Sequence, residues 1–289
     1  MVAKKLLAVS YQLLAGRRWL FAVLVATVAA STQFAHASPA SGELSLQNQV
    51  EVLNEAVRAF DTGTSLRQSN PNEAGKAFRT AAAKFQLLVD AGLQNGRLYY
   101  DLGNAYLEAG QVGRAILNYR RAQKLIQDDG RLTANLQYAR QLRRNQLPES
   151  GEQAFLRTLF FWHYGTSLRG RAIAAVAVWI AFWGLMILGT FAPRLRWRYV
   201  VMPLLAASLI LAASATVSMF ADARQRAGVV VMDNVTVRKG NGEGFEPQFK
   251  EQLHEGVEFD VLETRTDWLL IQLPDGKTGW IRSREAGLI

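Results

Sequence analysis

At 289 residues the chain has room for about two domains, and a hydrophobic fraction of 49% with mean hydropathy near zero fits soluble domains joined by membrane segments. It contains no cysteine, which excludes disulfides and thiolate chemistry. The formal charge of +9 would suit a nucleic-acid binder, but Lys4, Lys5, Arg17 and Arg18 precede the first apolar run and acids outnumber bases from residue 225 onward. No basic face for phosphates, and so no nucleic-acid partner, is expected.

The basic start leads into "WLFAVLVATVAAS" (Trp19 to Ser31), the length of a signal-peptide core and short for a membrane span. Ala35 and Ala37 in "AHASP" form an A-x-A pattern, so residues 1–37 read as a signal peptide cleaved after Ala37. An uncleaved anchor is the alternative. Either one exports the chain beyond residue 37.

Residues 44–147 read as helices. In "GRLYYDLGNAYLEAGQVGRAILNYRRAQ", Leu98, Leu102 and Tyr106, then Ile116 and Tyr119, recur at helical spacing. Gly110 stops the first helix and Gly113 lets the second start after a tight turn, which makes an antiparallel hairpin. Tyr99, Leu102, Gly103 and Tyr106 match W-x2-L-G-x2-Y, with Ala115, Tyr119 and Ala122 at the expected offsets, so the segment resembles a tetratricopeptide repeat. Gln127 stands where that repeat usually has proline. Small residues at Gly103 and Ala115 are expected where the two helices cross closely. Ala81 and Phe85 repeat the pattern one period upstream, residues 50–67 match the first helix of that unit poorly, and "RLTANLQYARQLRR" reads as the opening helix of a third. Stacked repeats form a superhelix with a concave surface. Tyr100, Asn104 and Leu107 project toward that surface as candidates to hold a peptide; packing between repeats, or simply facing water, is the alternative reading.

In residues 152–168, Phe155, Leu159, Phe160, Trp162 and Tyr164 cluster beside Arg157, Arg169 and Arg171, the composition of an interfacial aromatic helix. Residues 172–192 and 200–221 carry no charge, and each run is long enough to cross a bilayer. Pro203 is placed in the first turn of the second span, where a missing amide proton costs little. The loop over 193–199 carries Arg194, Arg196 and Arg198, which favours a cytoplasmic position, but Arg169, Arg171, Arg224 and Arg226 flank the other side. The export signal decides between them. The loop is expected in the cytoplasm and both larger domains in the periplasm, on a bacterial inner membrane.

Residues 225–289 have β character. "VVVMDNVTVRKGNGEG" reads as two short strands and a glycine-rich turn, and "VEFDVLETRTDWLLIQLPDGKTGWI" alternates apolar and polar residues around an Asp275-Gly276 hairpin turn. "NVTVRKGNG" and "WLLIQLPDGKTGWI" resemble the motifs of a bacterial SH3 domain, a small barrel of five short strands. Gly240, Gly242 and Gly244 are read as a loop needing positive φ; with Phe245 next they do not complete a phosphate-binding G-x-G-x-x-G. Trp280 is assigned to the core, and Phe245 and Trp268 are candidates for a peptide or glycan groove.

Beyond residue 37 only His163 and His254 remain, and no Ser-His-Asp set, H-E-x-x-H or P-loop is present. No catalytic residue, metal or cofactor is expected. The whole order of signal, tetratricopeptide helices, interfacial helix, two spans and SH3-like barrel resembles the BatE family of Bacteroides aerotolerance repeat proteins, most specifically in "LYYDLGNAY", "GRAILNYRRA" and "ANLQYAR". The resemblance implies a scaffold that works with von Willebrand A-domain membrane proteins and a MoxR-type ATPase in envelope maintenance or stress tolerance. The residues themselves point to a multidomain, membrane-anchored binder, with peptidoglycan tethering through the barrel as the alternative.

Overall fold

The computed structural model describes residues 45–289 apart from 127–128, 149–150, 162–165, 167, 190–197 and 225. The expected signal peptide and its cleavage site, Trp162, Tyr164, Arg194 and Arg196 lie outside the described residues.

The helices start where a side chain can accept from their otherwise unpaired first amides. Ser45 caps α1 (Leu46–Leu66), and Asn70, followed by Pro71, caps α2 (Pro71–Asp90). Asn95 caps α3 (Gly96–Glu108), and Asp129 accepts from both Arg131 and Leu132 at the head of α5 (Gly130–Gln141). Between these last two lies α4 (Val112–Leu125), whose own Gln111 provides no side-chain cap. Gly110, with φ of +77°, reverses the chain between α3 and α4. The helices form two antiparallel hairpins, α1 with α2 and α3 with α4, and α5 packs on α4.

Each hairpin has one point of close approach. A Cβ on Gly103 would sit 2.6 Å from the Tyr119 ring, and one on Gly63 would sit 2.7 Å from the Phe78 ring. The small residue expected at 103 therefore has a definite neighbour. In the first hairpin Ala81 and Phe85 are buried in the core, but the ring that fills the gap above a glycine is Phe78.

A short helix, α6 (Gly151–Leu159), leaves Phe155, Leu159, Phe160 and Phe161 largely exposed just ahead of α7 (Leu168–Gly189). α7 and α8 (Arg198–Arg224) are both long and apolar enough to cross a membrane. Both extend a few residues beyond the charge-free runs, so Pro203 falls inside α8, past its first turn. The two helices pack along each other. The Arg171 guanidinium donates to the Ser214 hydroxyl at 2.9 Å and to the Ser218 hydroxyl at 2.8 Å, and Phe182 and Val201 are buried in the pair.

The C-terminal unit is a five-stranded antiparallel sheet in the order β4-β3-β2-β1-β5. Its strands are β1 (Arg226–Val230), β2 (Glu258–Arg265), β3 (Trp268–Gln272), β4 (Thr278–Arg282) and β5 (Ala286–Leu288). Gly276 takes the expected left-handed conformation in the β3–β4 turn, with φ of +86°. Two sequence expectations change here. Only β1 forms in "VVVMDNVTVRKGNGEG"; the rest is a long loop attached through single bridges, Val235 to Leu253 and Arg238 to Trp280. Gly240, Gly242 and Gly244 are absent from the positive-φ glycines. Gly240 is required because the Phe245 ring lies over it, 2.6 Å from where a Cβ would stand.

The helical hairpins and the sheet are not separate beads. Val229 of β1 belongs to the helical core, and Val231 and Ile289 pack against it. Gly287 of β5 lies directly against Leu117 of α4. The Glu255 carboxylate reaches across and accepts from the Gly113 amide at 3.0 Å, providing the cap that α4 lacks locally and placing negative charge at its positive end. Arg121 donates twice to the Leu288 carbonyl, at 3.1 and 2.7 Å. Glu258, at the start of β2, takes a two-pronged contact from Arg140 at 2.8 Å on each oxygen, with Arg120 at 3.1 Å and Arg143 at 3.8 Å. Burial alone would push the Glu258 carboxyl up, but the Arg140 hydrogen bonds and the three arginine charges together pull it below the ordinary carboxylate range. Units in such contact must lie on one side of any membrane that α7 and α8 cross, and two crossings between them meet that condition.

Candidate functional site

Between the two hairpins a groove opens over a cavity of about 200 Å³, lined by Val57 and Phe60 of α1, Phe85 of α2, and Asp101 and Asn104 of α3. The position of each follows from helical spacing. The buried face of α1 carries Val52, Ala56, Ala59 and Gly63, which leaves Val57 on a second face turned toward the groove. Asp101 and Asn104 are three residues apart and so share one face of α3. Burial pushes the Asp101 carboxyl above its ordinary value, against the opposing charge of Arg97. Among the described residues no side chain or amide donates to that carboxylate.

The sequence-chosen residues divide. Asn104 lines the cavity, and its carbonyl also accepts from the Tyr119 hydroxyl at 2.8 Å and from the Asn135 amide at 2.9 Å. The same Asn135 amide donates to the Tyr100 hydroxyl at 3.1 Å. Tyr100, Asn104, Tyr119 and Asn135 thus form a polar net that ties α3, α4 and α5 together. Burial pushes the Tyr119 phenol well up, which keeps it protonated as the donor. Leu107 is half-buried against the helical core. Tyr100 and Leu107 therefore share in packing between helices, the alternative role that the sequence left open, and neither lines the cavity.

Sequence reasoning missed Val57, Phe60 and Asp101. A signal was present. Leu46, Val50, Leu53 and Val57 recur at steps of four, three and four residues, at an angle to the set that α1 buries, so the helix carries more apolar surface than its hairpin uses.

In the sheet unit Phe245 is half-exposed, and Trp268 is partly covered by the Arg282 guanidinium, 5.2 Å above its ring. Arg282 in turn pairs with Glu243 of the glycine loop. A shallow polar cleft of about 430 Å³ lies where the chain leaving α5 meets this unit, lined by Asn145, Thr236, Phe249, Gln252 and His254 among others. Neither Phe245 nor Trp268 lines it. His254 Nδ1 lies 3.2 Å from Asp233, and its backbone amide donates to Asn145 at 2.7 Å. The Asn145 contact holds the linker to the sheet unit. Among the described residues no group of three metal-ligating side chains comes together.

No protein-family model matches the chain, and no curated protein matches it.

Proposed function

We propose that this chain is a membrane-anchored interaction scaffold whose helical hairpins bind a partner protein at the periplasmic face of a bacterial inner membrane. The observation that carries the reading is the groove. It joins exposed apolar side chains of α1 to a carboxylate and an amide on α3, the mix that recognition sites use to combine affinity with orientation. The resemblance of α3 and α4 to a tetratricopeptide repeat supports a superhelical binding surface, and that of the sheet to a bacterial SH3 barrel supports a compact module. In this reading the sheet is a fixed buttress that closes the open end of the helical stack. The BatE resemblance suggests von Willebrand A-domain proteins and a MoxR-type ATPase as the partner system.

Because the chain has no cysteine, single cysteines test both orientation and occupancy. Ser65→Cys and Thr278→Cys should react with an impermeant maleimide in intact spheroplasts, and Arg196→Cys only after permeabilisation. Val57→Cys should react slowly in native membranes and fast in the purified protein, because a bound partner covers it. Labelling of position 196 from outside would overturn the orientation. Equal rates at position 57 in membranes and in purified protein would overturn the groove.

A further inference from the structure

Resting on that reading, we infer that the groove takes an amphipathic helix of a partner protein, with a lysine or arginine of that helix seated on Asp101. The first observation is the free face of α1. Leu46 is 80%, Val50 56%, Leu53 41% and Val57 44% exposed, and these four lie in one row. A row of that spacing is the complement of another helix, whose apolar residues at i, i+3 or i+4, and i+7 fit between its members. The row runs on into the cavity through Val57, so a helix laid along it ends with side chains over Phe60 and Phe85.

The second observation is charge. Asp101 stands at that end of the row with no hydrogen-bond donor to its carboxylate among the described residues and only the more distant Arg97 charge acting on it, and Asp61 is exposed on α1, one turn beyond Val57. Burial still outweighs the Arg97 charge at this carboxylate, so a cation or donor that makes direct contact with it is favoured. A basic side chain of the docked helix supplies both, and an acidic one at the same place is repelled. The apolar row thus sets affinity and Asp101 sets register and sign. A second copy docking through its own α1 fits less well, because that helix carries Glu51, Glu55 and Asp61 against a single base, Arg58.

The test pans a displayed library of random peptides against the full-length protein in nanodiscs, with empty nanodiscs for subtraction. Peptides enriched on the native protein should show apolar residues at three- and four-residue steps and a lysine or arginine at one fixed offset. Asp101→Asn should keep the apolar spacing and lose the basic preference by about tenfold. Val57→Asp should lose both. Enrichment without a basic position, or a basic preference unchanged in Asp101→Asn, would overturn the assignment of Asp101 while leaving the groove standing. No enrichment over Val57→Asp would remove the groove and the proposed function with it. A Leu53→Cys disulfide dimer in native membranes would give the row to a second copy and end the partner-helix proposal.

Discussion

Replacing Glu258 by glutamine keeps its shape and removes the charge that faces three guanidinium groups. Removing one partner from a buried ion pair costs about 3–5 kcal/mol. Here the Glu258 side chain is 20% exposed and that of Arg140 is 35% exposed, so water screens part of the loss. About 2–3 kcal/mol is the reasonable figure, equivalent to a fall in Tm of about 4–12 °C for a body of this size. Calorimetry of the full-length protein in mild detergent would read it. The converse change should cost less: after Arg140→Met, Glu258 still has Arg120 and Arg143 beside it. The effect also has a direction in pH. The folded-state carboxyl titrates below its ordinary value of 4.5, so its contribution is complete above that pH and is lost as pH falls through the lower folded value. The gap between native protein and Glu258→Gln should therefore close on acidification. A gap below about 0.5 kcal/mol at neutral pH, or one that stays constant down to about pH 3, would refute the idea that this carboxylate joins the two units.

Two further outcomes rest on the same contacts. Gly113→Ala places a methyl group 2.6 Å from the Val230 carbonyl, a backbone atom that cannot turn aside, so the sheet must shift away from α4 at a cost of about 1–3 kcal/mol. Hydrogen exchange should quicken along β1 and β5 first; unchanged exchange there would mean the units do not touch at this point. Asn104→Ala removes the acceptor for Tyr119 and Asn135 together and should lower stability by about 1–3 kcal/mol. A melt identical to the native one would show the polar net to be dispensable and Asn104 to serve only the groove.

The sequence determined what local rules can determine. Helical periodicity through Leu98, Leu102, Tyr106, Ile116 and Tyr119 set α3 and α4, and Gly110 set the turn between them, because a 3.6-residue repeat and a positive φ leave marks within a few residues. The charge-free runs set α7 and α8 for the same reason, and Asp275-Gly276 set the β3–β4 turn. What only the tertiary structure decided is the docking of the sheet on the helices and the composition of the groove. Glu258 and Arg140 stand 118 residues apart, and Glu255 and Gly113 stand 142 apart. On its own each of those charges looks like one more solvated side chain on a polar face, and Gly113 like a residue chosen for a turn. Asn104 was legible as an inward-facing amide, but whether it meets a ligand or a neighbour depends on where Asn135 lands, 31 residues away on another helix. Pairings across such distances are fixed by packing in space, and no local pattern in the chain records them.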